Sequence, residues 1–275
     1  MLLRVAGISP DMTYSLSASK LQTYHRCAKS YHFRYEQGIK SAAFFGSAAL
    51  GTSLHQALAQ IYRDWHYQTP LPDLTWINAC WSDNSKGLSD AQAEEGQQIL
   101  QGYYESFIAN QPAIAKPVAV EGKVQGHLQV SNLEFSLIGR FDRLDWYEDG
   151  LELIDYKSTK ETKLPEPAEL DLQMGLYYLA LEQRYQQSLK QLSLIFLRTG
   201  EKVSFRATPE QSQRVYQMIS ELAIKLRSDE EWEPSVGKHC DRCTYVKYCP
   251  AKQTNPEPVP SGGKASKQLQ LVLNL

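Results

Sequence analysis

Between residues 133 and 158 the sequence permits little other than two neighbouring strands. Residues 133–146 and 151–156 alternate or run apolar, and Glu148-Asp149-Gly150 between them is turn chemistry. Leu151, Leu153 and Ile154 flank Asp155 with apolar side chains, so Asp155 and Lys157 end a buried strand rather than decorate an exposed one. Two positions apart in a strand, they share a face. Asp142 lies on the preceding strand of the same hairpin and can face them across the sheet. Two carboxylates converging on one point repel unless a cation sits between them, and a hard, oxygen-seeking ion such as Mg²⁺ or Mn²⁺ meets that need. A lysine beside such an ion can orient or deprotonate a water and stabilise charge on a phosphate oxygen. Taken alone, the Asp-x-Lys triplet has a plainer reading, an ion pair on a solvent-facing strand.

The rest of the chain surrounds this hairpin with helices. Ser17 or Ser19 reads as an N-cap, and Leu21, Tyr24, Tyr31, Phe33 and Tyr35 form an irregular helical face ending near Gly38. Leu50, Leu54, Leu58 and Ile61 recur at helical spacing within residues 47–67. Residues 74–81 and 91–108 predict two further helices, and 118–130 a strand ahead of the hairpin. A helix over 170–185, a strand pair at 191–197 and 203–206 across Thr199-Gly200, and a helix over 209–227 complete the order, which is that of an α/β protein. Residues 254–267 are rich in Pro, Gly, Ser and Lys and predict a flexible linker.

Composition narrows the function classes. With 29 Lys+Arg against 31 Asp+Glu in 275 residues, the net charge is −2. A uniformly basic nucleic-acid coat is excluded, so any DNA contact must be local. Lys20, Arg26, Lys29, Arg34, Arg140, Arg143, Lys160 and Lys163 are the basic residues expected along a DNA path, with pairing to nearby acids as the ordinary alternative. No apolar run is long enough to cross a membrane, and the first residues do not read as a signal peptide. An ATP-binding loop is also missing, since Gly262-Gly263-Lys264-Ala265 lacks the hydroxyl residue, so any helicase must be a partner. Five cysteines without a secretion signal point to a reducing, cytoplasmic setting and to metal or free thiols. Cys240, Cys243 and Cys249 carry metal-ligand spacing, for which zinc is the default, with Cys27 or His239 available as a fourth ligand. Cys80, between Ile77 and Trp81, reads as a core residue.

The motifs together resemble the PD-(D/E)xK nucleases, in the branch of the RecB and AddB nuclease domains and the CRISPR-associated RecB-like exonucleases. Gly51-Thr-Ser-Leu-His55 resembles the G-x-x-x-H helix of that branch, and Gly139-Arg-Phe-Asp142-Arg-Leu-Asp145 its G-x-x-D-R-x-D strand. Ile154-Asp155-Tyr156-Lys157 resembles its D-x-K strand and Gln173-Met-Gly-Leu-Tyr177 its Q-x-x-x-Y helix. Ser17-Ala-Ser-Lys-Leu21, followed by Tyr24, Cys27 and Phe33, resembles its opening. The resemblance spans about residues 15–250 and implies a restriction-endonuclease-like core: a mixed central sheet flanked by helices, with a helical insertion over about 56–115. It implies one nuclease domain over 1–253, followed by a linker and peptide over 254–275.

By the same resemblance, His55, Asp142, Asp155 and the carbonyl of Tyr156 hold Mg²⁺ or Mn²⁺, and Lys157 positions the attacking water. Gln173 and Tyr177 hold the site and the DNA backbone, and Glu121 adds an acid. Cys27, Cys240, Cys243 and Cys249 match the four ligands of a [4Fe–4S] cluster, with Ala28 where the family often has Pro; zinc is the alternative. The implied activity is metal-dependent hydrolysis of DNA, single-stranded or with free ends, in repair or recombination. The alternatives are a catalytically silent DNA-binding or clamp-tethered adaptor and a CRISPR-associated exonuclease. Gln268, Leu269, Leu271 and Leu273 resemble the short peptide by which bacterial proteins bind the polymerase sliding clamp, with a strand added to the protein's own sheet as the alternative.

Overall fold

A computed structural model describes residues 14–39, 45–131, 133–159, 162, 164, 167–206 and 208–260. The clamp-like residues 268–273, and Lys160 and Lys163, lie outside them. The elements follow as β1 (Tyr14–Leu16), α1 (Ala18–Arg26), α2 (Ala28–Tyr31), α3 (Phe45–Asp64), α4 (Leu74–Asn84), α5 (Asp90–Phe107), β2 (Ala119–Val130), β3 (Leu133–Tyr147), β4 (Gly150–Lys157), α6 (Pro167–Tyr185), β5 (Leu189–Phe196), β6 (Glu201–Arg206) and α7 (Pro209–Ser228). Of two short 3₁₀ turns, Lys238–Arg242 contains Cys240 and ends on Cys243, and Val246–Tyr248 ends on Cys249. The fold is an α/β architecture built on a mixed sheet with helices on both faces.

Two features differ from the sequence-based expectation. The N-terminal helical face is not one helix: α1 stops at Cys27, whose extended backbone (φ −165°) separates it from α2, and a π-turn over His32–Glu36 follows. Ahead of α1, three residues form β1, parallel to β3, a strand too short to leave a periodic signal. Ser17 is the N-cap, its hydroxyl accepting from the Lys20 amide.

β2, β3 and β4 form an antiparallel meander, β4 pairs in parallel with β5, and β5 with β6 antiparallel. β2 occupies one edge of β3 from Leu133 to Leu144. A strand has two edges, so β1, which meets Phe135–Leu137, and β4, which meets Arg143–Tyr147, sit end to end along the other. Between them, residues 138–142 have no strand partner on that edge among the described residues.

The two faces bury separate clusters. Leu151 and Leu153 of β4 and Leu192, Leu194 and Phe196 of β5 pack against α1, α6 and α7, while Ile154, Tyr156 and Ile195 pack against α3, α4 and α5. Alternation of period two produces both sets from the same strands. Gly175 of α6 lets α7 approach, since a Cβ there would collide with the Val215 side chain.

Arg143 corrects an expectation, because it does not reach toward DNA. It is 8% exposed, beneath α3 and α5. One guanidinium nitrogen donates to the Tyr103 hydroxyl (3.1 Å) and the Tyr156 hydroxyl (3.0 Å), and the other pairs with Asp145 at 3.0 Å. The guanidinium lies 4.0 Å from the Tyr62 ring centroid. Lys20 is likewise turned inward, donating to the Ser15 carbonyl (2.8 Å) and hydroxyl (2.9 Å).

Burial raises the Asp145 pKa, and the Arg143 charge opposes that shift. Removing the arginine alone leaves a carboxylate without its cation, which costs roughly 3 kcal/mol or more. Arg143→Met is therefore expected to lower unfolding stability by about that amount in denaturant titration. The deficit should shrink as the pH falls and Asp145 is neutralised, and Arg143→Met/Asp145→Leu should recover most of it.

Candidate functional site

The site lies where the meander stops being regular. The β2–β3 pairing runs from Ala119↔Leu144 to Val130↔Leu133 and omits one interior pair, Glu121 opposite Asp142. Glu121 has φ +46°, a left-handed backbone that a non-glycine residue adopts only against a steric cost. The turn reverses the alternation. Val124 and Leu128 face the α6 side, whereas Val120, which strict period two would put on the same face, packs on the α3 side. On β3, Phe141 and Leu144 both belong to the α6-side core, so the reversal is shared by both strands.

The β3–β4 ladder ends at the same level. Its last pair is Arg143↔Ile154, so Asp142 and Asp155 occupy the next opposed positions. There the strands part, while β4 continues along β5 through Lys157↔Phe196. Glu121, Asp142 and Asp155 are thus successive neighbours across three strands.

Each carboxylate has its own partners. The Asp142 Oδ1 lies 3.0 Å from His55 Nδ1, and its Oδ2 accepts from the Tyr156 amide at 2.7 Å. Glu121 pairs with Arg140 at 3.2 Å. The Asp155 Oδ2 accepts from Lys157 Nζ at 2.7 Å and from Gln173 Nε2 at 2.8 Å. Tyr177 donates to the Arg140 carbonyl beside the gap in the sheet, and a Cβ on Gly139 would stand 2.9 Å from the Tyr177 ring. Burial raises the Tyr177 pKa, reinforced by the charges of Asp155 and Asp142, so the phenol stays protonated and donates.

Helices from opposite faces deliver these partners. His55 comes from α3, whose Gly51 passes so close to the end of β4 that a Cβ would lie 2.9 Å from Ser158 Oγ. Gln173 and Tyr177 come from α6, one turn apart on one side of the helix. Arg198 ties the base of the site to α5, donating to the Ser158 carbonyl (2.9 Å) and pairing with Glu95 (2.5 Å).

Among the described residues, His55, Glu121 and Asp142 bring one ligand atom each within 4.8 Å of one another. An imidazole with two carboxylates suits a divalent ion such as Mg²⁺ or Mn²⁺. Asp155 stands outside that triad, engaged with Lys157 and Gln173. Burial alone would lower the His55 pKa, but the Asp142 hydrogen bond and the charges of Asp142, Asp155 and Glu121 raise it. An ion would take the imidazole in its neutral form, so ion affinity should rise with pH through the His55 titration. His55, Glu121, Arg140 and Asp142 line an open cleft of about 820 Å³.

The cysteines form a separate constellation. Cys27, Cys240, Cys243 and Cys249 line one pocket, all as free thiols, and Cys243 feels the charges of the other three. Around them Phe33 and Ile39 pack on Tyr245, whose hydroxyl donates to the Ile39 carbonyl from 206 residues away. Trp232 stacks on Tyr31 at 5.7 Å. Cys80 is fully buried between α3 and α5, as its apolar neighbours predict.

A family model described as the PD-(D/E)XK nuclease superfamily matches residues 15–250. No curated protein matches the sequence. Among solved structures, the protein SSO0001 is similar at 14% identity and TM-score 0.43, over 88% of this chain and 89% of its own. A candidate exonuclease from Eubacterium rectale is similar at 12% identity and TM-score 0.49, over 90% of this chain and 91% of its own. With the family model covering most of the chain, from β1 past the last cysteine, the protein belongs to the PD-(D/E)XK nuclease superfamily.

Proposed function

We propose that the protein is a divalent-metal-dependent deoxyribonuclease that degrades DNA from an end in repair or recombination. The observation that carries this reading is the row Glu121–Asp142–Asp155 across three strands, with His55 on Asp142 and Lys157 on Asp155. Five ionisable groups drawn from β2, β3, β4 and α3 have no packing reason to meet at the lip of a cleft. They have a chemical one in phosphodiester hydrolysis.

In this reading His55, Glu121 and Asp142 would hold the ion, with Asp155 and the Tyr156 carbonyl as further ligands. The ion supplies Lewis acidity at the scissile phosphate and lowers the pKa of water. Lys157 holds the attacking water in line with the phosphorus and donates to a non-bridging oxygen, balancing the charge that develops. Gln173 shares the Oδ2 of Asp155 with Lys157 and so fixes the carboxylate's orientation, leaving Oδ1 free for the ion. Tyr177 keeps the Arg140 carbonyl, and with it the strand bearing Asp142, from sliding into the gap.

The four cysteines are read as the ligands of a [4Fe–4S] cluster joining the α1–α2 break to the C-terminal turns. Their convergence on one pocket from segments more than 200 residues apart supports a group that staples the two together. The cluster's role in this reading is structural, reinforcing the contact that Phe33, Ile39 and Tyr245 make.

Digestion of end-labelled DNA with Mn²⁺ or Mg²⁺ tests the activity, which should vanish in chelator and return with added ion. Lys157→Ala is expected to reduce cleavage by at least about a hundredfold while leaving ion binding measurable by calorimetry. Glu121→Gln should instead weaken ion affinity, by about ten- to a hundredfold. Full activity in Lys157→Ala would overturn the assignment. Anaerobically purified protein should be brown, and Cys27→Ala should lose the colour together with several degrees of melting temperature; colourless protein with one bound zinc would refute the cluster.

A further inference from the structure

The cleft beside the carboxylates does not stop at them. His55, Ala59 and Arg63 follow one another at intervals of four along α3, so they line a single face of that helix, and all three border the cleft. At 1.5 Å per residue, eight residues place Arg63 about 12 Å along the helix from His55. Ala59 between them is small and 5% exposed, which leaves a low floor. Asn84 of α4 forms the wall at the Arg63 end, its amide fixed by bonds to Gln60 Oε1 (2.6 Å) and the Cys80 carbonyl (2.8 Å).

Charge is distributed unevenly along this channel. Among the described residues, its only acidic lining residues, Glu121 and Asp142, belong to the ion triad. The arm leading away is neutral until Arg63. That guanidinium is 56% exposed and forks onto the next residue, Asp64, through Nε at 2.8 Å and a terminal nitrogen at 3.2 Å. Both partners face solvent, so water and other anions compete with the pair. A phosphate diester offers the same planar fork two acceptor oxygens.

We infer that Arg63 anchors a backbone phosphate of the substrate strand upstream or downstream of the scissile bond, and that the face of α3 between His55 and Arg63 is the strand-binding channel. Twelve ångströms correspond to between three and four nucleotides at the 3.4 Å rise of a helical strand, or roughly half as many in an extended one. Arg63 is therefore a binding residue that sets the shortest substrate cleaved at full efficiency. The inference rests on reading His55, Glu121 and Asp142 as the ion site.

The test compares wild type, Arg63→Ala, Arg63→Lys and Arg214→Ala on single-stranded oligonucleotides of graded length. Arg214 is exposed on α7, on the opposite face of the sheet, and controls for the loss of one positive charge. Arg63→Ala is expected to raise KM about tenfold on oligonucleotides of about ten residues, with kcat nearly unchanged. The penalty should shrink on di- and trinucleotides, and the salt dependence of log kcat/KM should fall by about one contact. Arg63→Lys should recover part of the loss, and Arg214→Ala should show no length dependence. A penalty equal at every length, or none, overturns the proposal. If wild type cleaves nothing, the nuclease reading fails separately, and fluorescence anisotropy of a labelled oligonucleotide in chelator decides this one. There Arg63→Ala must weaken binding about tenfold, and unchanged binding overturns it.

Discussion

Three carboxylates opposite one another on adjacent strands are an arrangement that a regular sheet cannot hold. Like charges directly across a ladder are destabilising, and Glu121, Asp142 and Asp155 occupy successive opposed positions. The chain resolves the conflict by breaking the ladder on both sides of Asp142. On the β2 side Glu121 turns through a left-handed backbone. On the β4 side the strands separate, and the freed edge is met by side chains: Asp142 takes the Tyr156 amide, and Tyr177 supplies the Arg140 carbonyl. Much else about the fold follows, from the end-to-end placing of β1 and β4 to the helices required on both faces.

Each acid ends with its own positive or donor group, drawn from a different element: His55 from α3, Arg140 from β3 itself, Lys157 from β4 and Gln173 from α6. The site is therefore a meeting point of two cores that otherwise share only the sheet. Beneath it, Arg143 joins tyrosines of α3, α5 and β4 to Asp145, so the residue next to Asp142 is immobilised from below. Polar residues with fixed positions on one side and an open cleft on the other are what a preorganised hydrolytic centre requires.

Much of this was readable from sequence where a strict period governs. Asp155 and Lys157 share a face because two positions separate them, and Asp142 joins them because a tight turn sets the register. The helices α4 to α7 follow from apolar spacing and caps. The remainder depended on departures from periodicity. Arg143 looked like a DNA contact because its three tyrosine partners, Tyr62, Tyr103 and Tyr156, come from segments distant in sequence. The resemblance implies Glu121 as a further acid of the site, but strand periodicity alone does not align it with Asp142, because that alignment depends on a backbone reversal. β1 was missed for want of length. The inference that α1 continues past Cys27 failed because the break serves contacts with residues more than 200 positions later.

That break has a consequence for how the molecule comes into being. Tyr24 and Tyr31 on the first helices find Trp232 and Asp229, and Ile39 finds Tyr245. Residues 24–39 must therefore wait for residues more than 200 positions later before their aromatic surface is covered. Contacts of such sequence separation are slow to form, because the closure of a long loop precedes any gain from them. On the ribosome, the sheet can assemble with β1 and α1 already on it, while the aromatic face of residues 24–39 stays open until residues 229–245 have been made.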